Sequence, residues 1–177
     1  MVWVGVAKVT AMGNHTAMRY ILFITVLFCV APLWAADELA TLRADAERGD
    51  PWSQLNLGAA FDNGIGVAAD PAQAILWYRR AAEQGLAQAQ FNLGHSYAMG
   101  NGIAQDYAEA VRWLTLAARQ GMAEAQHLVG VSYMEGLGVK VNRNEARRWL
   151  RQAAAQHYQP AIDYAQRHHL AIGEQQP

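Results

Sequence analysis

The chain repeats itself three times at a spacing of 36 residues. Leu57, Leu93 and Val129 fall in register, as do Gly58, Gly94 and Gly130, and then Phe61, Tyr97 and Tyr133. The register continues through Gly64, Gly100 and Gly136 and through Gly66, Gly102 and Gly138. It reaches Trp77, Trp113 and Trp149 and the alanine pairs Ala81-Ala82, Ala117-Ala118 and Ala153-Ala154. A fixed period of this size marks a solenoid, in which each unit buries its apolar face only against its neighbours. Such a chain is built for binding more readily than for catalysis.

The units run over residues 52–87, 88–123 and 124–159, and each reads as two helices. Pro51 and Pro71 stand just inside helix starts, behind Asp50 and Asp70. There a carboxylate can accept the unpaired N–H groups, and the N–H that proline lacks is not missed. Asp106 and Asn142 hold the same cap position in the later units. Gly85 and Gly121 follow the second helices, where a left-handed residue ends a helix. The loops Gly64-Ile65-Gly66, Gly100-Asn101-Gly102 and Gly136-Leu137-Gly138 are read as turns that return one apolar residue to the core. No strand precedes them, so the G-x-G spacing is not a nucleotide fingerprint.

A glycine inside each first helix costs about 1 kcal/mol relative to alanine. Its recurrence at equivalent places implies a close approach of paired backbones. The tryptophan and two alanines of each second helix are read as the complementary surface, one large plug beside small contacts. The tryptophans are therefore structural.

The pattern A-x-x-x-L-G-x-x-Y, G-x-G-V, D, A-x-x-W and A-A-x-x-G resembles the Sel-1-like repeat, a relative of the tetratricopeptide repeat. The second unit carries it most fully, in Ala89, Leu93-Gly94, Tyr97, Gly100, Gly102-Ile103, Asp106, Ala110, Trp113, Ala117-Ala118 and Gly121. Phe61, Val129, Asn142 and His157 depart from it, and the third unit is expected to be the least regular. The resemblance implies an all-α fold, a right-handed α-solenoid of antiparallel helix pairs. Three full repeats would lie within residues 36–170, between a lone second helix near 37–48 and a lone first helix near 160–170.

From Met18 the chain reads as a secretory signal peptide. Arg19 is followed by the apolar run Ile21 to Val30 and by small residues ending at Ala35-Ala36. Residues 1–35 are assigned to it, and residues 1–17 lack that logic, so that translation can start at Met18. A spanning helix needs about 20 apolar residues, more than this run provides. Cys29, the only cysteine, lies inside the run, so cleavage would remove thiol chemistry and disulfides together. Loss of Lys8 and Arg19 leaves 12 basic against 15 acidic side chains. That balance argues against a nucleic-acid partner. The expected location is the periplasm, and residues 171–177 are expected to form a disordered tail.

The sequence has no H-E-x-x-H, G-x-S-x-G or P-loop, and adjacent histidines such as His168 and His169 point to different sides of a helix. No catalytic residue, metal site or cofactor is assigned.

In the superhelix that the resemblance implies, first helices line the concave face, and the positions offset from the core set are available to a partner. They are Trp52, Leu55 and Asp62; Gln88, Phe91 and His95; Glu124, His127, Val131 and Met134; and Asp163 and Arg167. Unlike the core positions they differ between units, although half of them can equally serve to seal adjacent first helices. Arg143, Arg147 and Arg151, with Lys140 and Arg148, form a second, basic face on the last full unit, suited to an acidic partner or simply solvated. The expected function is non-enzymatic protein–protein interaction. The resemblance suggests an immunity protein that neutralises a type VI secretion phospholipase toxin. The alternatives are an envelope adaptor in signalling or exopolysaccharide assembly, and a small cell-wall-active or β-lactamase-like hydrolase.

Overall fold

The computed structural model describes residues 38–170, so the expected signal peptide and tail lie outside the described residues. The repeats lie wholly within one unit, which begins at Leu42. Helix α1 covers 38–47. Then follow α2 (Pro51–Asn63), α3 (Pro71–Glu83), α4 (Ala87–Met99), α5 (Tyr107–Arg119), α6 (Ala123–Glu135), α7 (Arg143–Ala155) and α8 (Gln159–Arg167). There is no strand among the described residues, and none of their helices is long and apolar enough to cross a membrane. The fold is an α-solenoid: α2 pairs with α3, α4 with α5 and α6 with α7, and each pair packs on the next.

Sequence-encoded caps set the helix boundaries. Asp50 and Asp70 accept the N–H groups of Ser53 and Gln73, and Asp106 and Asn142 each accept two N–H groups of their own helix. The Ser53 hydrogen bonds hold the Asp50 carboxyl below its usual range. Each intra-unit loop closes with the same bond, from the N–H of Asp70, Asp106 and Asn142 to the carbonyls of Phe61, Tyr97 and Tyr133. Val67, Ile103 and Val139 are the half-buried residues that the loops return toward the core. The third unit is no less regular than the others, because its helices also have 13 residues and its departures keep the geometry. Asn142 caps as the aspartates do, and His157 takes the left-handed conformation (φ 59°) that Gly85 and Gly121 take before it.

The interior glycines mark close helix contacts. A Cβ on Gly94 would stand 2.8 Å from Leu114 Cγ and 3.1 Å from the Ala110 carbonyl oxygen. On Gly58 and Gly130 it would stand 2.7 Å from the Tyr78 ring and from Leu150 Cγ. The surface that meets the glycine is thus the residue after each tryptophan, and not the tryptophan itself. Trp77, Trp113 and Trp149 are buried beside it, and arginines lie over their rings.

A glutamine ladder fastens consecutive units. Gln54, Gln90 and Gln126 are buried and donate to the carbonyls of Ala46, Ala82 and Ala118. Gln84, Gln120 and Gln156 donate both to their side-chain oxygens and to the carbonyls of Gly49, Gly85 and Gly121. The ladder pairs carbonyls that helix ends leave without intrahelical partners. Its six glutamines lie in the 36-residue register, yet glutamine reads as a surface residue, and pattern matching on apolar positions passes over them.

Candidate partner-binding face

The positions expected to meet a partner all lie on α2, α4, α6 and α8, but they differ in what they touch. Trp52, in the first turn of α2, is 58% exposed. Leu55, one turn on, is 6% exposed and belongs to the core with Ala74, Ile75 and Leu93, so its assignment to the face is corrected. The helical offset carried it inward because the following unit covers that side of α2. Phe91, Val131 and Met134 are half-buried against neighbouring core clusters. Gln88, His95, Glu124, Asp163 and Arg167 are exposed.

His127 is half-buried, with Tyr158 and Tyr164 at ring-centre distances of 5.7 and 5.8 Å. Its Nδ1 is buried without a hydrogen-bond partner. Burial, and then the charge of Arg167, hold the imidazole below its ordinary pKa. Tyr164 donates to Glu135 Oε1 at 2.5 Å, and its hydroxyl is pushed upward by burial and by that carboxylate. These contacts fasten α8 to α6, so His127 serves the end of the solenoid as much as any face.

The face carries a cleft of about 370 Å³ where α2, α3 and α4 meet. It gathers Asp62, Phe91 and His95 from the expected set with Asn63, Tyr78, Asn92 and Asn101, which sequence reasoning did not single out. Phe91 and His95, one helical turn apart, stack with ring centres 6.1 Å apart and planes at 25°. In the same cleft, Asn101 Nδ2 donates to Asp62 Oδ1 at 2.9 Å, and the Tyr78 hydroxyl donates to Asp62 Oδ2 over a longer 3.4 Å. Asn92 bonds the Tyr78 hydroxyl and in turn accepts from Gln88 Nε2 at 3.1 Å. Burial first, and the Asp62 charge second, push the Tyr78 hydroxyl up to about 12, so it remains a neutral donor. The residues come from three helices and a loop, which is why no local spacing announces them.

The basic row has a structural origin. Arg147 stands where the first two units bury Ile75 and Val111, each 5% exposed. Ile75 shares its core cluster with Ala89, Leu93 and Tyr97 of α4, and α4 and α6 have 13 residues, whereas α8 has nine. Arg143, Arg147 and Arg151 are exposed. Arg148 is engaged already, with Glu145 at 2.9 Å and the Trp149 ring at 5.5 Å. Lys140 lies exposed in the preceding loop.

Among the described residues no three His, Cys, Asp or Glu side chains converge as a metal site would. What the face offers is shape, aromatic surface and hydrogen-bonding groups, the means of recognition.

Comparison with known proteins gives the same architecture. The family model described as Sel1 repeat matches residues 53–86, 87–122 and 123–158. A solved Sel1 repeat protein from Oxalobacter formigenes is 37% identical, with 73% of this chain and 97% of that chain covered and a TM-score of 0.67. A protective antigen present in uropathogenic Escherichia coli strains, with an SLR fold, is 34% identical at a TM-score of 0.61. That match covers 75% of this chain and 37% of the antigen chain. No curated protein matches the chain.

Proposed function

Because the chain belongs to the Sel1 repeat family, whose repeats are protein–protein interaction modules, we propose that it is a non-enzymatic binding protein of the periplasm. Its specific role in this reading is that of an immunity protein: it binds a phospholipase toxin delivered by type VI secretion and occludes the entrance to the toxin's active site. The observation that carries the reading is the variation along the first helices. Core positions repeat from unit to unit, whereas the equivalent Ala59, His95 and Val131 differ in size and, at His95, in polarity. Packing does not fix one residue type there, which leaves these positions free to encode a partner. The signal-peptide pattern before Ala36 supports export to the compartment in which such toxins act.

The test is inhibition of a secreted phospholipase encoded beside this gene, followed by titration with variants. Interface energy concentrates in a few aromatic anchors, so Trp52→Ala and Phe91→Ala are each expected to weaken binding by about 2 kcal/mol. A doubly substituted protein of intact helicity that binds like the parent would remove this face from the interface. Specific binding to an exopolysaccharide-assembly or signalling protein, with no effect on the toxin, would make the chain an envelope adaptor. Hydrolysis of a cell-wall or β-lactam substrate by the purified protein would overturn the binding-only reading.

A further inference from the structure

We infer that the cleft between α2, α3 and α4 is a recognition site for a cationic side chain, arginine or lysine, presented by the protein partner. The inference rests on the proposed function, in that it takes the occupant to be part of a protein.

Its first support is the direction of the hydrogen bonds. Gln88 donates to Asn92, Asn92 bonds the Tyr78 hydroxyl, and Tyr78 donates to Asp62, which also accepts from Asn101. The chain of donors ends on a carboxylate, and both of its oxygens receive hydrogen only from neutral groups. Dipoles hold the charge in place without cancelling it. No lysine or arginine lines the cleft, and Asp62 takes part in no salt bridge among the described residues. A carboxylate has about four acceptor sites, so oxygen lone pairs remain for an incoming ammonium or guanidinium.

The second support comes from the next unit, which shows what the scaffold itself requires. At the positions 36 residues on, Asp62 becomes Ala98, Asn63 becomes Met99 and Tyr78 becomes Leu114. Asn92 likewise becomes Leu128, and Asn101 becomes Leu137. Five polar positions of one cleft are apolar in its counterpart, while the helices, caps and loop bonds around them are the same. The polar set is therefore no condition of folding.

The third support is the aromatic part of the lining. The stacked Phe91 and His95 rings line the same cleft as Asp62. Such a surface suits the aliphatic stem of lysine or the face of a guanidinium, whose head then reaches the carboxylate. The volume of about 370 Å³ lies within the roughly 300 to 1,000 Å³ typical of small-ligand sites and holds one side chain with its flanking backbone.

The experiment titrates the protein with acetyl-Ala-Arg-Ala-amide and acetyl-Ala-Lys-Ala-amide, with the norleucine and glutamate tripeptides as controls, and follows backbone amide shifts by NMR. The cationic peptides are expected to shift Asp62, Phe91 and Asn101 saturably, and the controls are not. Asp62→Ala installs the residue that the next unit carries at Ala98, so folding should survive, and circular dichroism checks that it does. Affinity for the arginine peptide is expected to fall by about tenfold or more in this variant, the loss expected when a charge-assisted bond is removed. Asn101→Leu, copying Leu137, should lower it less. Equal binding of the arginine and norleucine peptides, or unchanged arginine binding in Asp62→Ala, overturns the cation site. A toxin that binds parent and Asp62→Ala alike also overturns it, and leaves the proposed function standing. Saturable, Asp62-dependent arginine binding without any protein partner on the first-helix face sustains the cation site and removes the proposed function.

Discussion

Gly94 and Leu114 meet so closely that a Cβ on the glycine would lie 2.8 Å from the leucine Cγ, with the Leu114 amide nitrogen and the Ala110 carbonyl oxygen both at 3.1 Å. Two of the three obstacles are backbone and cannot turn aside. Gly94→Ala is therefore expected to destabilise the protein by about 1 to 3 kcal/mol. Gln73→Leu, at an exposed site on α3, should stay within about 0.5 kcal/mol of the parent. Urea denaturation of both variants decides the matter. Equal midpoints would mean that α4 and α5 can separate freely at the glycine.

The glutamine ladder yields a second expectation. Gln90 is 5% exposed, donates to the Ala82 carbonyl and accepts from Gln120. Gln90→Leu keeps the volume but leaves the Ala82 carbonyl and the Gln120 amide without that partner, at an expected cost of about 1 to 3 kcal/mol. Gln120→Leu should cost less, because Gln120 is exposed and water can replace it. Paired denaturation curves compare the two. A larger loss in Gln120→Leu would contradict this ordering.

His157 occupies a left-handed turn with φ 59°, where Gly85 and Gly121 stand in the earlier units. A side chain there costs about 1 to 2 kcal/mol, so His157→Gly should raise stability by up to about 1 kcal/mol after the greater freedom of an unfolded glycine is set against it. His157→Val should lower it, since branching at Cβ worsens the clash. Thermal melting at neutral pH reads both signs.

Acidification should act on the same end of the molecule. Burial and Arg167 hold His127 below its ordinary value of 6.5. The unfolded chain then takes up the proton first. Stability is full above the unfolded pKa and is lost as pH falls below about 6.5, down to the depressed folded pKa. Arg167 faces the ring from α8, and Glu124 acts from α6 on the adjoining Tyr158. In His127→Leu the difference in unfolding midpoint between pH 7.5 and 5.5 should shrink. An unchanged difference would place the acid sensitivity at other groups.

The solenoid end gives a further expectation. Arg147→Val restores the kind of residue that Val111 is, but without the cover that Val111 receives, because α8 is four residues shorter than α4 and α6. The variant should expose an apolar stripe and self-associate more than the parent in sedimentation runs at rising concentration. Identical sedimentation would show that the stripe is covered after all.

The 36-residue register made the helices, their caps and the interior glycines legible, since each depends on residues close in sequence or repeated at a fixed distance. It failed at Leu55, where the helical offset could not show that the next unit closes over α2. It failed too at the Asp62 cleft, whose members Tyr78, Asn92 and Asn101 are 16, 30 and 39 residues from Asp62. The register marks what units share. The cleft consists of what one unit does not share, assembled through space.

Gly102 lies against the carbonyl of Pro71, and Gly138 against that of Tyr107, so each of these two loops reaches the unit immediately before it. The bonds from Gln90 and Gln120 to the carbonyls of Ala82 and Gly85, and from Gln126 and Gln156 to those of Ala118 and Gly121, likewise cross a single boundary. A copied middle unit would thus arrive with both halves of its interfaces and could lengthen the array by gene duplication without redesign. A copy of the last unit would instead bury Arg147 beneath its successor.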